Sequence, residues 1–90
     1  MKSADETAIA VLGWLAGEPE LLSRFLALTG TDPDSLRKAI GEPGFMGGLV
    51  AFLMDHEPTL IAFCTATQTA PEEVVRAHQA FSGPANFEDI

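Results

Sequence analysis

The feature that most constrains this fold is a helical pattern that occurs twice along the chain. The first copy begins at Trp14 and the second at Phe52, 38 residues later. Each copy continues through a Glu-Pro pair, an apolar pair, a phenylalanine, two threonines and a Pro-Asp or Pro-Glu turn. The two copies are 39 residues apart at the Glu-Pro and apolar pairs and 38 residues apart again from the phenylalanine onward. Repetition at such a period is typical of helical repeats. We therefore expect two related units of three helices each, over about residues 4–41 and 44–81.

Capping residues and helix breakers predict where each helix begins and ends. Ser3 and Glu6 form a capping box before the first helix, and Thr69 and Glu72 form a second one before the last helix. Six helices are expected over about residues 4–16, 19–29, 33–40, 44–54, 58–67 and 71–81. No stretch alternates with period two for long enough to make a strand. The fold class is therefore all-α, a compact bundle of about six short helices.

The fourth predicted helix is apolar all round, which is typical of a helix buried on every side. Two repeats are too few for a solenoid, which needs about three to bury a continuous face. We therefore expect one globule with this helix at the centre, against the first helix. The breaker Ser82-Gly83-Pro84 should end the domain, so that residues 1–83 form it and residues 84–90 are a flexible acidic tail.

The chain is acidic, with 13 Asp and Glu against 5 Lys and Arg, a formal net charge of −8. This balance opposes binding to nucleic acid or to an anionic membrane, where affinity comes mainly from cations. A single cysteine gives no disulfide framework, which fits a reducing cytosol. The acidic start of the chain does not resemble a signal peptide. We expect a cytoplasmic protein that contacts neither nucleic acid nor membrane.

Few residues point to catalysis or to a bound metal. Cys64 lies in an apolar helix without a nearby cation to stabilise a thiolate, so it is expected to be buried and inert. His56, Glu57 and His78 are the potential metal ligands, but their spacing is not that of a zinc site. His56 lies near the predicted end of the fourth helix. Glu57 precedes the proline that starts the fifth helix, so its position is explained by the helix boundary. The sequence therefore predicts no catalytic residues, no cofactor and no enzyme activity.

A run of glycines in the fourth helix is the most suggestive local feature. Glycine in a helix interior costs about 0.5–1 kcal/mol relative to alanine, so a compensating role is expected. One interpretation is close helix packing within the protein. The other is a docking surface where a partner helix or a second copy approaches the backbone. On the second interpretation the candidate partner-binding residues are Phe45, Met46, Gly47 and Gly48.

Together these motifs resemble a family of short bacterial proteins, common in alphaproteobacteria, known only as a domain of unknown function. The residues that carry the resemblance are Ala10–Ala16, Glu18-Pro19, Arg24–Gly30, Gly44-Phe45, Val50–Pro58 and Pro71–Glu73. The resemblance covers about residues 8–81 and contains no catalytic signature. It implies a small helical cytoplasmic protein and supplies no activity, cofactor or site.

Three functions are compatible with these observations. The favoured one is a non-enzymatic interaction or adaptor module that binds an unknown protein partner or itself. The first alternative is a binder of a small ligand or metal between the two repeats, through His56, Glu57 and His78. The second is a DNA-binding regulator, suggested by the Thr-x-Pro-Asp/Glu turns. It is disfavoured because a recognition helix would need more cations than these helices carry.

Overall fold

The computed structural model of the chain describes residues 3–88, without the side chains of Pro33, Pro43 and residues 82–88. Its helices are α1 (Ala4–Ala16), α2 (Pro19–Thr29), α3 (Leu36–Ile40), α4 (Pro43–Met54), α5 (Glu57–Thr67) and α6 (Pro71–Glu88), with a 3₁₀ turn over Pro33–Ser35 before α3. No residue from 3 to 88 lies in a strand. The predicted all-α bundle of six helices is confirmed.

The start of α1 is stabilised by the predicted capping box. The Ser3 backbone N–H donates to Glu6 Oε1 at 2.9 Å, and the Glu6 backbone N–H donates to Ser3 Oγ at 3.1 Å. Two backbone donors at the helix end are therefore satisfied by side chains within one turn. This part of the fold follows from local sequence alone.

The second predicted capping box was wrong. Because α6 begins at Pro71, Ala70 rather than Thr69 precedes its first turn. The Thr69 hydroxyl lies 2.8 Å from the Thr67 hydroxyl, which itself donates to the carbonyl of Phe63. Thr69 is 4% exposed, so its hydroxyl finds a partner on α5 and links the connection between α5 and α6 back to α5.

Helix α4 lies at the centre of the bundle and contacts all five other helices. Its side chains at Leu49, Val50 and Leu53 are fully buried, and it packs closely against α1 as expected. Burial is nevertheless incomplete, because Gly44 is exposed and Gly48 is half-buried. The prediction that α4 is buried on all sides was therefore wrong at its glycine face, where no side chain covers the backbone.

The ends of α2 and α5 share the same local geometry. Gly30 and Gln68 are the two residues of positive φ at these helix ends, at +73° and +55°. Beyond them, the Thr31 N–H donates to the carbonyl of Leu26 and the Thr69 N–H donates to that of Cys64, both at 3.1 Å. The third elements differ, since α3 has 5 residues and α6 has 18. The two-repeat arrangement stays a prediction.

Helix α6 runs to Glu88, past the end predicted at about residue 81. Glycine and proline raise the free energy of a helix without forbidding it, and here the helical backbone passes through both Gly83 and Pro84. The predicted tail over residues 84–90 is therefore helical as far as it is described. Met1, Lys2, Asp89 and Ile90 lie outside the described residues.

The apolar stretches of the described residues are short. No single helix among them is long and apolar enough to cross a membrane. The segments Gly44–Met54 and Glu57–Thr67 meet the length and hydropathy criteria only when they are taken together, and the chain bends by 104° between them.

Candidate docking groove on α4

A surface cavity of about 230 Å³ opens where the end of α2, α3 and the first turns of α4 meet. It is lined by Thr29, Thr31, Ala39, Glu42, Gly44, Phe45 and Gly48. We call this cavity the α4 groove. Three separate elements build it, so its shape depends on how they pack.

Along one wall of the α4 groove, two glycines leave the helix backbone without side chains. Gly44 and Gly48 are four residues apart and therefore lie on one face of α4. A Cβ atom placed on either residue would meet no heavy atom within 4 Å. Gly48 is half-buried even so, which means that it lies in a concave region with open space above it. An approaching chain could come close to the backbone of α4 here.

Phe45 provides an apolar, rigid surface in the α4 groove. Its side chain is 8% exposed, and its ring packs edge-on against Phe25 with centroids 5.5 Å apart. Phe25 packs in the same way against Phe52, also at 5.5 Å. Edge-to-face packing of this kind holds each ring in a defined orientation. Phe45 is therefore fixed in place before any partner binds.

The end of α2 forms another part of the groove wall. The Thr29 hydroxyl donates to the carbonyls of Phe25 and Leu26, at 3.0 and 3.3 Å, so its one hydrogen-bond donor is used within the helix. Leu28, its neighbour in sequence, is 71% exposed, more than the other exposed large apolar side chains Ile9, Ile61 and Val75. An exposed leucine thus lies in the same helical turn as a groove-lining residue.

Glu42 is the ionisable residue of the groove lining. It occupies the N-cap position of α4 and is exposed, but its side chain makes no capping hydrogen bond to that helix. The carboxylate is therefore available at the groove edge. Arg37 and Lys38 lie on α3 and are exposed, outside the groove lining.

The structure separates the four predicted partner-binding residues. Phe45 and Gly48 line the α4 groove. Met46 is 8% exposed, and a Cβ atom on Gly47 would lie 3.4 Å from Phe81 Cβ on α6. Gly47 thus fits the first interpretation, close packing inside the protein, whereas Gly48 fits the second. The assignment of these residues to a partner site stays a prediction.

The four predicted partner-binding residues did not include the other groove residues. Gly44 belongs to the glycine run that suggested a docking surface, and its spacing of four residues from Gly48 places both on one helix face. Thr29, Thr31 and Ala39 carried no such signal, because they reach the groove only through packing of α2 and α3 near α4. Glu42 was assigned to the helix-breaking segment Gly41–Gly44 that separates the two predicted repeats.

The residues considered for metal binding do not form a cluster. The His56 Nδ1 atom lies 2.6 Å from the hydroxyl of Thr59, which is 5% exposed, so His56 is engaged at the start of α5. His78 is half-buried on α6 and has interactions of its own. Within residues 3–88, no three His, Cys, Asp or Glu side chains are grouped so that they could hold a metal ion.

Cys64 lies on α5 and is buried, as the sequence predicts. Burial raises the pKa of its thiol above the usual 9.0, and the carboxylates of Glu72 and Glu73 raise it further. Both effects disfavour the thiolate, which is the nucleophilic form of cysteine. The protonated thiol behaves as a small apolar side chain in the core.

Comparison with known proteins identifies a family and no function. The family described as "Protein of unknown function (DUF3572)" matches residues 1–84, a range that includes every residue lining the α4 groove. Comparisons with curated proteins and with solved structures found no match. The predicted resemblance to a domain of unknown function is confirmed.

Proposed function

The chain belongs to the DUF3572 family of proteins of unknown function, and from its structure we propose that it is a non-enzymatic interaction module. Its α4 groove binds a helix of another protein. The observation that carries the proposal is the open backbone at Gly48 beside the buried ring of Phe45.

Gly48 needs an explanation that packing inside this protein does not give. Glycine inside a helix costs about 0.5–1 kcal/mol relative to alanine. At Gly47 a Cβ atom would already be in van der Waals contact with Phe81, whereas the space above Gly48 is open. A second backbone passing close to α4 at this point would use that space. Gly44 extends the same bare face by one turn.

The size of the α4 groove favours a protein partner over a small molecule. Its volume of about 230 Å³ is below the roughly 300–1,000 Å³ typical of ligand pockets. That space suits one or two side chains of a partner. In helix-in-groove recognition, apolar residues spaced along one face of a helix insert into such a surface.

Charge favours a different protein over a second copy. Each copy has a formal net charge of −8, so two copies repel each other at low ionic strength. A partner of opposite charge has no such penalty. The free thiol of Cys64 supports a reducing compartment, and we expect the binding to take place in the cytoplasm.

The test compares Gly48→Leu with Gly13→Leu. Both glycines lie inside helices, and a Cβ atom on either meets nothing within 4 Å, so both variants should fold. The leucine at position 48 fills the α4 groove, whereas the one at position 13 lies on the exposed surface of α1. Quantitative affinity purification from the source organism compares the proteins retained by each variant and by the parent.

We expect at least one protein to be retained by the parent and by Gly13→Leu but lost with Gly48→Leu. Direct binding of that protein to the purified chain then completes the test. An identical set of proteins with all three baits would refute the proposal. A change in oligomeric state with Gly48→Leu alone would indicate a second copy as the occupant. Metal analysis and retention on heparin test the two alternative functions on the same preparation.

A further inference from the structure

We infer that the helix bound in the α4 groove is cationic, with an apolar side chain over Phe45 and a lysine or arginine facing Glu42. This inference rests on the proposed function and adds the chemistry of the partner. Its support is an apolar floor that lies beside the carboxylate of Glu42 and the carbonyl end of α2.

Glu42 provides the first negative group. Its exposed carboxylate lines the α4 groove and caps no amide of α4. A carboxylate near a helix N-terminus is stabilised when it faces the amides of that helix. Here the side chain makes no such bond, so a cation on a partner would meet a carboxylate that the helix does not use.

The carbonyl end of α2 provides the second source of negative charge. Helix α2 stops at Gly30, and its last turn carries no basic residue. The carbonyl end of a helix carries partial negative charge, which favours a cation nearby. Thr29 and Thr31, on either side of Gly30, both line the groove. The carbonyl end of α2 therefore lies next to the space that the partner occupies.

The charge of the whole chain acts in the same direction. A net charge of −8 attracts a cationic partner over a distance of about one Debye length and raises its association rate. Specific contacts then come from the groove. An apolar residue of the partner and a cation three or four positions away would lie on one helix face, so that the same face meets both Phe45 and Glu42.

The experiment is a selection from a displayed library of helical peptides of about 18 residues, with one face randomised. Selection is carried out in parallel on the parent protein and on Gly48→Leu. We expect peptides enriched only on the parent to share a large apolar residue with Lys or Arg three or four positions away. Binding of a selected peptide should weaken as NaCl is raised from 50 to 300 mM.

Matched variants then test the role of Glu42. Glu42→Gln and Glu18→Gln change the net charge equally, and both residues are exposed N-caps without a capping hydrogen bond. For a selected peptide, we expect Glu42→Gln to weaken binding about three- to five-fold. Glu18→Gln, which is outside the groove lining, should weaken binding less than two-fold.

The outcomes separate the two proposals. If peptides specific to the parent are neutral or acidic, or if both Gln variants have the same effect, the cationic partner is wrong and the docking groove remains. If every enriched peptide binds Gly48→Leu as well as the parent, or if no peptide is enriched, the docking groove itself is refuted.

Discussion

At the scale of single residues, Gln68 is the clearest case of local strain, and Gly30 has the same left-handed conformation without strain. Gly30 and Gln68 stand at equivalent positions after α2 and α5, with φ of +73° and +55°. A residue with a Cβ atom pays roughly 1–2 kcal/mol in this conformation, whereas glycine adopts it freely. The same turn is therefore easier to form at the end of α2 than at the end of α5.

Exchanging the residue type at these two positions should move stability in opposite directions. We expect Gln68→Gly to raise the free energy of unfolding by about 0.5–1 kcal/mol, since the relief of strain exceeds the added freedom of the unfolded chain. Gly30→Ala should lower it by about 1 kcal/mol. Urea denaturation followed by circular dichroism measures both. A shift of the same sign in the two variants would contradict the assigned conformations.

The buried thiol of Cys64 predicts a loss of stability at high pH. The unfolded thiol loses its proton near pH 9, whereas the folded thiol has a raised pKa and keeps it. Stability is therefore unaffected by this group below pH 9 and falls above it, by at most about 1.4 kcal/mol per pH unit. Urea denaturation at pH 8 and pH 10 measures the change, and Cys64→Ala should remove this part of it.

Reactivity gives an independent check on the same residue. Labelling of Cys64 by a disulfide reagent at pH 8 should be slow in the native protein and fast after unfolding, because the buried thiol is protonated and shielded. Fast labelling under native conditions would show that the thiol is accessible, contrary to its position in the core.

At the scale of elements, α4 has two glycine faces with different neighbours. Gly47 faces α6, where its Cβ position is 3.4 Å from Phe81 Cβ, and Gly48 faces open space in the α4 groove. Adjacent residues on a helix point about 100° apart, so one glycine can serve internal packing while the next serves a surface.

A leucine at each position separates these two roles. We expect Gly47→Leu to lower the free energy of unfolding by about 1–3 kcal/mol, because the added side chain must displace α6. Gly48→Leu should leave stability unchanged or raise it by up to about 1 kcal/mol, through better helix propensity. Thermal and urea denaturation measure both. Equal destabilisation would mean that the space above Gly48 is filled in solution.

At the scale of the whole molecule, acidic groups outnumber basic ones by 13 to 5, so repulsion between carboxylates opposes the compact state. Salt screens this repulsion, with a Debye length of about 10 Å at 0.1 M. We expect the melting temperature to rise by a few degrees between 10 and 200 mM NaCl. A fall in melting temperature over this range would show that attractive ion pairs dominate instead.

Much of the helical framework was predictable because its signals are local. The capping box of Ser3 and Glu6, the Pro19 start of α2 and the Gly30 end each depend on a few neighbouring residues. The end of α6 was not predictable in this way, because Gly83 and Pro84 are stop signals that this helix overrides. The predicted capping role of Thr69 was wrong because its hydroxyl bonds to Thr67 on the preceding helix.

The sequence by itself determined the all-α class, the starts of the longer helices and the central position of α4, since caps, breakers and apolar periodicity act within a few residues. Only the tertiary structure decided which glycine of α4 is covered by α6 and which faces a groove. Rotating α4 by one residue would exchange Gly47 and Gly48 without changing any local signal. That rotation depends on contacts between helices, such as Phe25 with Phe52 and Phe81 with Gly47, which form only after the chain has folded.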